Sequence, residues 1–124
     1  MKNEIVYNLE FLDESDVIYS ILIKNYEKND FIKEIIEFEC VDSIYSDDSE
    51  QIFFKIKDII YILDLFEVEF LEVSVSYSDV NKLRESVCDF LNCVFRNNQK
   101  SVVEFFFDVQ RDHLLGKFQG AFLS

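Results

Sequence analysis

The apolar residues of this chain recur with two different periods, and that contrast limits the folds open to it. From Glu4 to Leu12 the pattern alternates, with Ile5, Tyr7, Leu9 and Phe11 on one side and Glu4, Asn8 and Glu10 mostly on the other. A period of two sends successive side chains to opposite faces of a strand. Val80, Leu83, Val87, Phe90, Leu91 and Val94 instead recur at three- and four-residue steps. That is the stripe of an amphipathic helix.

The remaining segments sort by the same test. Asp13-Glu14-Ser15-Asp16 offers an N-cap and first-turn acids for a helix whose stripe is Val17, Ile18, Ile21, Leu22 and Tyr26, with Lys24 and Lys28 near its C-terminus. Asp30 caps a shorter helix bearing Phe31, Ile32, Ile35, Ile36 and Glu39. Cys40 to Glu50 breaks the periodicity with Asp and Ser, which bond to their own backbone, and reads as the main exposed loop. Ile52, Ile56, Ile59, Ile60, Leu63 and Phe66 then sustain a helical period behind a Ser49 or Asp48 cap. A strand through Ile52, Phe54 and Ile56 is the rival over residues 51–57, and the longer pattern favours helix. Glu67 to Tyr77 is a Val-rich strand whose phase changes at Phe70 and Leu71, as at a bulge. Ser78 and Asp79 cap the helix through Val94, which stops at Arg96-Asn97-Asn98. Ser101 to Val109 is a strand, Gln110 to His113 a turn, and Leu114 to Leu123 a final strand. Together these predict an α+β fold in a single domain spanning 1–124. Three or four helices pack on a mostly antiparallel sheet of three to four strands, near 4–12, 67–77, 101–109 and 114–123.

A chain of 124 residues with 14 Phe, 6 Tyr and 13 Ile can build one core, burying roughly two-thirds of its unfolded surface. Its charge is uneven. Residues 34–81 hold thirteen acids against Lys55 and Lys57 and so carry -11 of the net -13. A block this acidic disfavours nucleic-acid phosphates and anionic lipid and favours a basic protein partner. No apolar run is long enough to span a membrane. The three cysteines, Cys40, Cys88 and Cys93, form no disulfide spacing, and a reducing cytoplasm is the expected compartment. Scarce Ala, Gly and Pro beside frequent Ile, Phe, Asn, Lys and Asp point to an AT-rich gene of bacterial or phage type.

No motif for catalysis or cofactor binding is present. His113 is the only histidine and reads as a surface residue, since a general base needs a positioned partner and a pocket. Cys88 and Cys93, five apart on a helix, lack the short knuckle of a zinc site and read as small apolar core groups. Asp42, Asp47, Asp48 and Glu50 lack the alternation and central Gly of a calcium loop. Gly116 and Gly120 are the only glycines, so no phosphate-cradling loop exists. The expectation is a non-enzyme with no metal and no cofactor.

In its size, acidity and lack of catalytic motifs the chain resembles the bacterial immunity proteins, a class that occupies many folds. The resemblance implies a tight complex with one cognate toxin and no enzymatic activity. Nuclease toxins hold phosphates with Lys and Arg, so carboxylates set at phosphate-like positions would block such a site. The expected partner-binding residues are Asp42, Tyr45, Asp47, Asp48 and Glu50, where acids surround an aromatic anchor, and then Glu67, Glu69 and Glu72. The last three also fit a bland reading, as charges that keep an edge strand from pairing. Two other functions share the acidity: a phage anti-defence protein or nucleic-acid mimic, and an oligomeric adaptor subunit. Self-association is left open by the sequence.

Overall fold

A computed structural model describes residues 18–47, 51–65, 70–76, 79–96, 98–107 and 110–119. Chain order is β1 (Ile18–Lys24), α1 (Lys28–Glu37), β2 (Val41–Asp47), β3 (Gln51–Ile56), β4 (Ile59–Asp64), β5 (Leu71–Ser76), α2 (Val80–Arg96), β6 (Val102–Phe107) and β7 (Gln110–Phe118). All seven strands join in one sheet ordered β2-β3-β4-β5-β1-β6-β7, and every pairing is antiparallel. The described residues thus hold two helices and seven strands, which corrects the expectation of three or four helices on a three- to four-stranded sheet.

Four segments change type, Gln110–His113 from turn to strand among them. Ile18–Lys24, expected inside a helix, is an interior strand with Tyr19, Ile21 and Ile23 fully buried. Its Ile18, Ile21 and Leu22 satisfy a helical step by chance, because an interior strand is apolar on both faces. Val41–Asp47, expected within a loop, is strand β2. The helix expected from Ile52 to Phe66 is the β3–β4 hairpin. Its buried residues are Ile52, Phe54 and Ile56, then Ile59, Tyr61 and Leu63. The two turn residues, Lys57 and Asp58, sit at φ 51° and 66°, the left-handed region that a two-residue hairpin requires. Skipping two residues makes the inward set jump by three, from Ile56 to Ile59, and that step imitates a helical turn.

Other expectations hold with shifted boundaries. Helix α1 exists, but Glu27 is its N-cap and accepts the Asp30 amide at 2.9 Å; Ile36, placed in the buried stripe, is exposed. Asp79 caps α2, accepting from the amides of Asn81 and Lys82. The phase change at Phe70 and Leu71 marks where β5 begins, and β5 then pairs without a register shift. The strand expected over 4–12 lies outside the described residues.

Both helices cover the same face of the sheet. Phe90 of α2 stacks on Tyr61 at 4.9 Å and on Phe54 at 6.3 Å, while Tyr61 and Phe54 face each other across β3 and β4. Phe31 of α1 meets Phe90 edge-on at 6.4 Å, and Tyr26 meets Phe31 edge-on at 5.2 Å. Such ring pairs add about 0.5–1.5 kcal/mol each beyond area burial. One polar network crosses this interface. Ser86 Oγ donates to the Ile56 carbonyl at 2.7 Å and lies 2.7 Å from the Tyr61 hydroxyl. Serine has one proton, already given to Ile56, so Tyr61 must be the donor to Ser86. The hairpin turn is held to α2 from outside as well, by Lys57–Asp89 at 3.5 Å and Lys82–Asp58 at 3.7 Å.

Urea unfolding will separate the two partners of that network. Ser86→Ala leaves the buried Tyr61 hydroxyl without this acceptor and lowers stability by about 2–3 kcal/mol, whereas Tyr61→Phe leaves the Ser86–Ile56 bond intact and costs about 1 kcal/mol. In the turn, Asp58→Gly relieves a left-handed conformation at a side chain and raises stability by about 0.5–1 kcal/mol. The exposed Asp58–Lys82 pair it removes contributes little.

Candidate functional site

Because alternate residues face opposite ways, the face of the sheet turned away from α1 and α2 is defined by the positions between the core residues. Cross-strand register aligns Asp47, Gln51, Asp64, Glu72, Leu22, Glu104 and Lys117 in one row across all seven strands. Neighbouring strands lie about 4.8 Å apart, so this row brings residues distant in sequence within reach of one partner surface. Its two halves differ in charge. Toward β7, Glu104 is bound by Lys24 at 2.7 Å and faces Lys117. Toward β2, the positions are Asp47, Gln51, Asp64 and Glu72. Asp64 stands directly opposite Glu72, an arrangement of like charges that a sheet normally avoids. Beside this row runs another whose members include half-buried Phe53 and Ile62, so the acids border apolar surface.

The predicted contact residues divide accordingly. Asp47 and Glu72 fall in one row, although the sequence placed them in separate segments. Tyr45, expected as a loop anchor, occupies a strand position opposite Phe53. Asp42 is exposed at the opposite end of β2, about 17 Å from Asp47 at the usual strand rise, and is not part of the acidic end. Asp48, Glu50, Glu67 and Glu69 lie outside the described residues. The strand ends that bracket them, Asp47 with Gln51 and Asp64 with Leu71, lie at the same end of adjacent strands. Edge protection no longer explains Glu72, since β5 is an interior strand. Asp64 and Glu104 were missed. Asp64 was hidden in an expected helix, and strand order, the only signal that aligns them, is absent from sequence.

Elsewhere the structure offers little chemistry. A cavity of about 410 Å3 is lined by Tyr26, Asp30, Lys33, Glu34, Glu37 and Asn98. Its one phenol is driven to about 12 by burial and then by Glu34, so it stays protonated at neutral pH. All three cysteines are free, and burial raises each thiol, Cys93 to about 12. Thiols so raised are poor nucleophiles and poor metal ligands. Among the described residues no group of three His, Cys, Asp or Glu could hold a metal ion. His113 stands in β7. No described helix is long and apolar enough to cross a membrane.

The chain matches no protein-family model, no curated protein and no solved structure.

The raised thiol and phenol make stability fall in alkali. Each group binds its proton more tightly folded than unfolded, so the stability it contributes is complete below its ordinary pKa and is lost as pH rises to the folded value. For Cys93 that window runs from 9.0 to about 12, and for Tyr26 from 10.0 to about 12. Unfolding midpoints measured across this range should decline from about pH 9, and Cys93→Ala should delay the onset.

Proposed function

We propose that this protein is a non-enzymatic inhibitor that sets the acidic end of its sheet against the basic site of another protein. The most specific form of this reading is an immunity protein that neutralises a nuclease-type toxin in the cytoplasm. The observation that carries it is the alignment of Asp47, Asp64 and Glu72 in one cross-strand row toward the β2 end of the sheet. Carboxylates fixed on a rigid sheet need no reorganisation to meet Lys and Arg side chains that otherwise hold phosphates. The neighbouring apolar positions Phe53 and Ile62 supply the water-excluding contact that makes such ion pairs specific.

The decisive experiment is affinity capture from host lysate at low and high salt, with bound proteins identified by mass spectrometry. Stoichiometric recovery of one small basic nuclease supports the proposal. Capture of a multi-subunit nucleic-acid-processing complex replaces it with mimicry, and recovery of the bait alone removes it. With the partner in hand, Asp64→Lys should slow association on the order of tenfold or more at low salt and much less at high salt. The substitution sets a cation opposite Glu72, which the sheet accommodates. Glu85→Lys, on an exposed position of α2, should leave the rate nearly unchanged. Stopped-flow binding reads both.

A further inference from the structure

We infer that β2 is a docking strand, and that an extended basic segment of the partner pairs along its outer edge as an eighth strand. The partner's charge rests on the inhibitor reading, which this inference deepens by naming the mode of contact. β2 stands at one end of the sheet and, among the described strands, pairs only with β3. Among the described residues no strand pairs with its outer side, whose backbone donors and acceptors an extended chain can satisfy.

The two sheet edges are built differently. β7 shifts register against β6 at Phe105/Phe106 and again at Phe106/Phe107, and its sequence includes Arg111 and Lys117. Broken register and edge cations both discourage further pairing by a basic strand. β2 shifts only between Val41 and Ser43, then keeps one-to-one register from Ser43 to Asp47. Within that regular stretch Ile44 is 42% exposed, a large apolar side chain at a sheet edge. No proline interrupts it.

Charge selects the occupant. β2 contains Asp42 and Asp47 and no cation, and Asp47 begins the acidic row. Pairing with β2 of a second copy would line the aspartates of both copies along one seam, which is repulsive. A segment that alternates Lys or Arg with β-branched residues sets cations on the face that the register position of Asp47 defines. Its other face covers Ile44.

The test is amide NMR of the 15N-labelled full chain titrated with the peptide acetyl-Lys-Val-Lys-Val-Lys-Val-Lys-amide. The expected result is shifts and slowed amide exchange confined to Ser43–Asp47 and the facing residues of β3. The fully N-methylated peptide, which keeps its charge and loses its donors, should fail to produce them. Ile44→Lys, at an exposed position that the fold tolerates, should weaken the peptide on the order of tenfold. The inference is overturned by shifts centred on Asp64, Glu72 or Glu104, by equal binding of the N-methylated peptide, by no response at millimolar peptide, or by peptide-free, concentration-dependent changes in β2. The readout is independent of partner capture. A captured nuclease without pairing at β2 keeps the inhibitor and discards the docking strand, and pairing without a captured protein does the reverse.

Discussion

The contact of Phe90 with Tyr61 and Phe54 is the joint on which the architecture turns. A seven-stranded sheet has one wide apolar face and only two described helices to cover it, so each helix must be seated with little freedom. Phe90 fixes α2 by stacking, and Ser86, one turn earlier, fixes its rotation by reaching the Ile56 carbonyl. Stacking alone would tolerate a small slide of the helix; a directional hydrogen bond in a dry interface does not. Phe31 then seats α1 against the same ring, so the second helix inherits its position from the first.

That joint also explains which parts of the fold could be read in the sequence. Helix α2 was legible because its period persists over four turns and its inward residues, Leu83, Val87, Phe90, Leu91 and Val94, meet a uniform surface. The β3–β4 hairpin was not, because its turn is Lys57-Asp58, which carries none of the Asn or Gly that normally announces two left-handed residues. Here the hairpin is held to α2 by Ser86, which donates to the Ile56 carbonyl, and by the Lys57–Asp89 pair. β1 was misread for a complementary reason. An interior strand buries alternate residues under the helices and keeps others, such as Ser20, inaccessible on the second face, so its pattern loses the alternation that marks a strand. Of the candidate surface, the excess of acid was visible and its alignment was not. Asp47, Asp64 and Glu72 become neighbours only through pairings between strands.

The row of acids is costly to a sheet, and its placement shows how that cost is confined. On the β6–β7 side Glu104 is closed by Lys24 and faces Lys117, so charge there serves cohesion. On the β2 side Asp47 stands on the edge strand, while Asp64 and Glu72 stand half-buried and opposite each other on the interior strands β4 and β5. The helix-covered face, with its stacked rings and raised thiols, supplies the rigidity that lets the other face keep its charges at fixed spacing.

The interior position of β1 has a consequence for how the chain comes together. β2 to β5 are hairpin neighbours in sequence and can zip up locally, but β1 must insert between β5 and β6, and its pairing with β6 joins Tyr19 to Phe107 across most of the chain. Contacts of such long sequence range form late and slow folding. During synthesis, β1 leaves the ribosome before the other described strands, and Tyr19, Ile21 and Ile23 reach their buried positions between β5 and β6 only after both have followed. The period of greatest vulnerability to aggregation is therefore set by the time taken to translate the segment between β1 and β6.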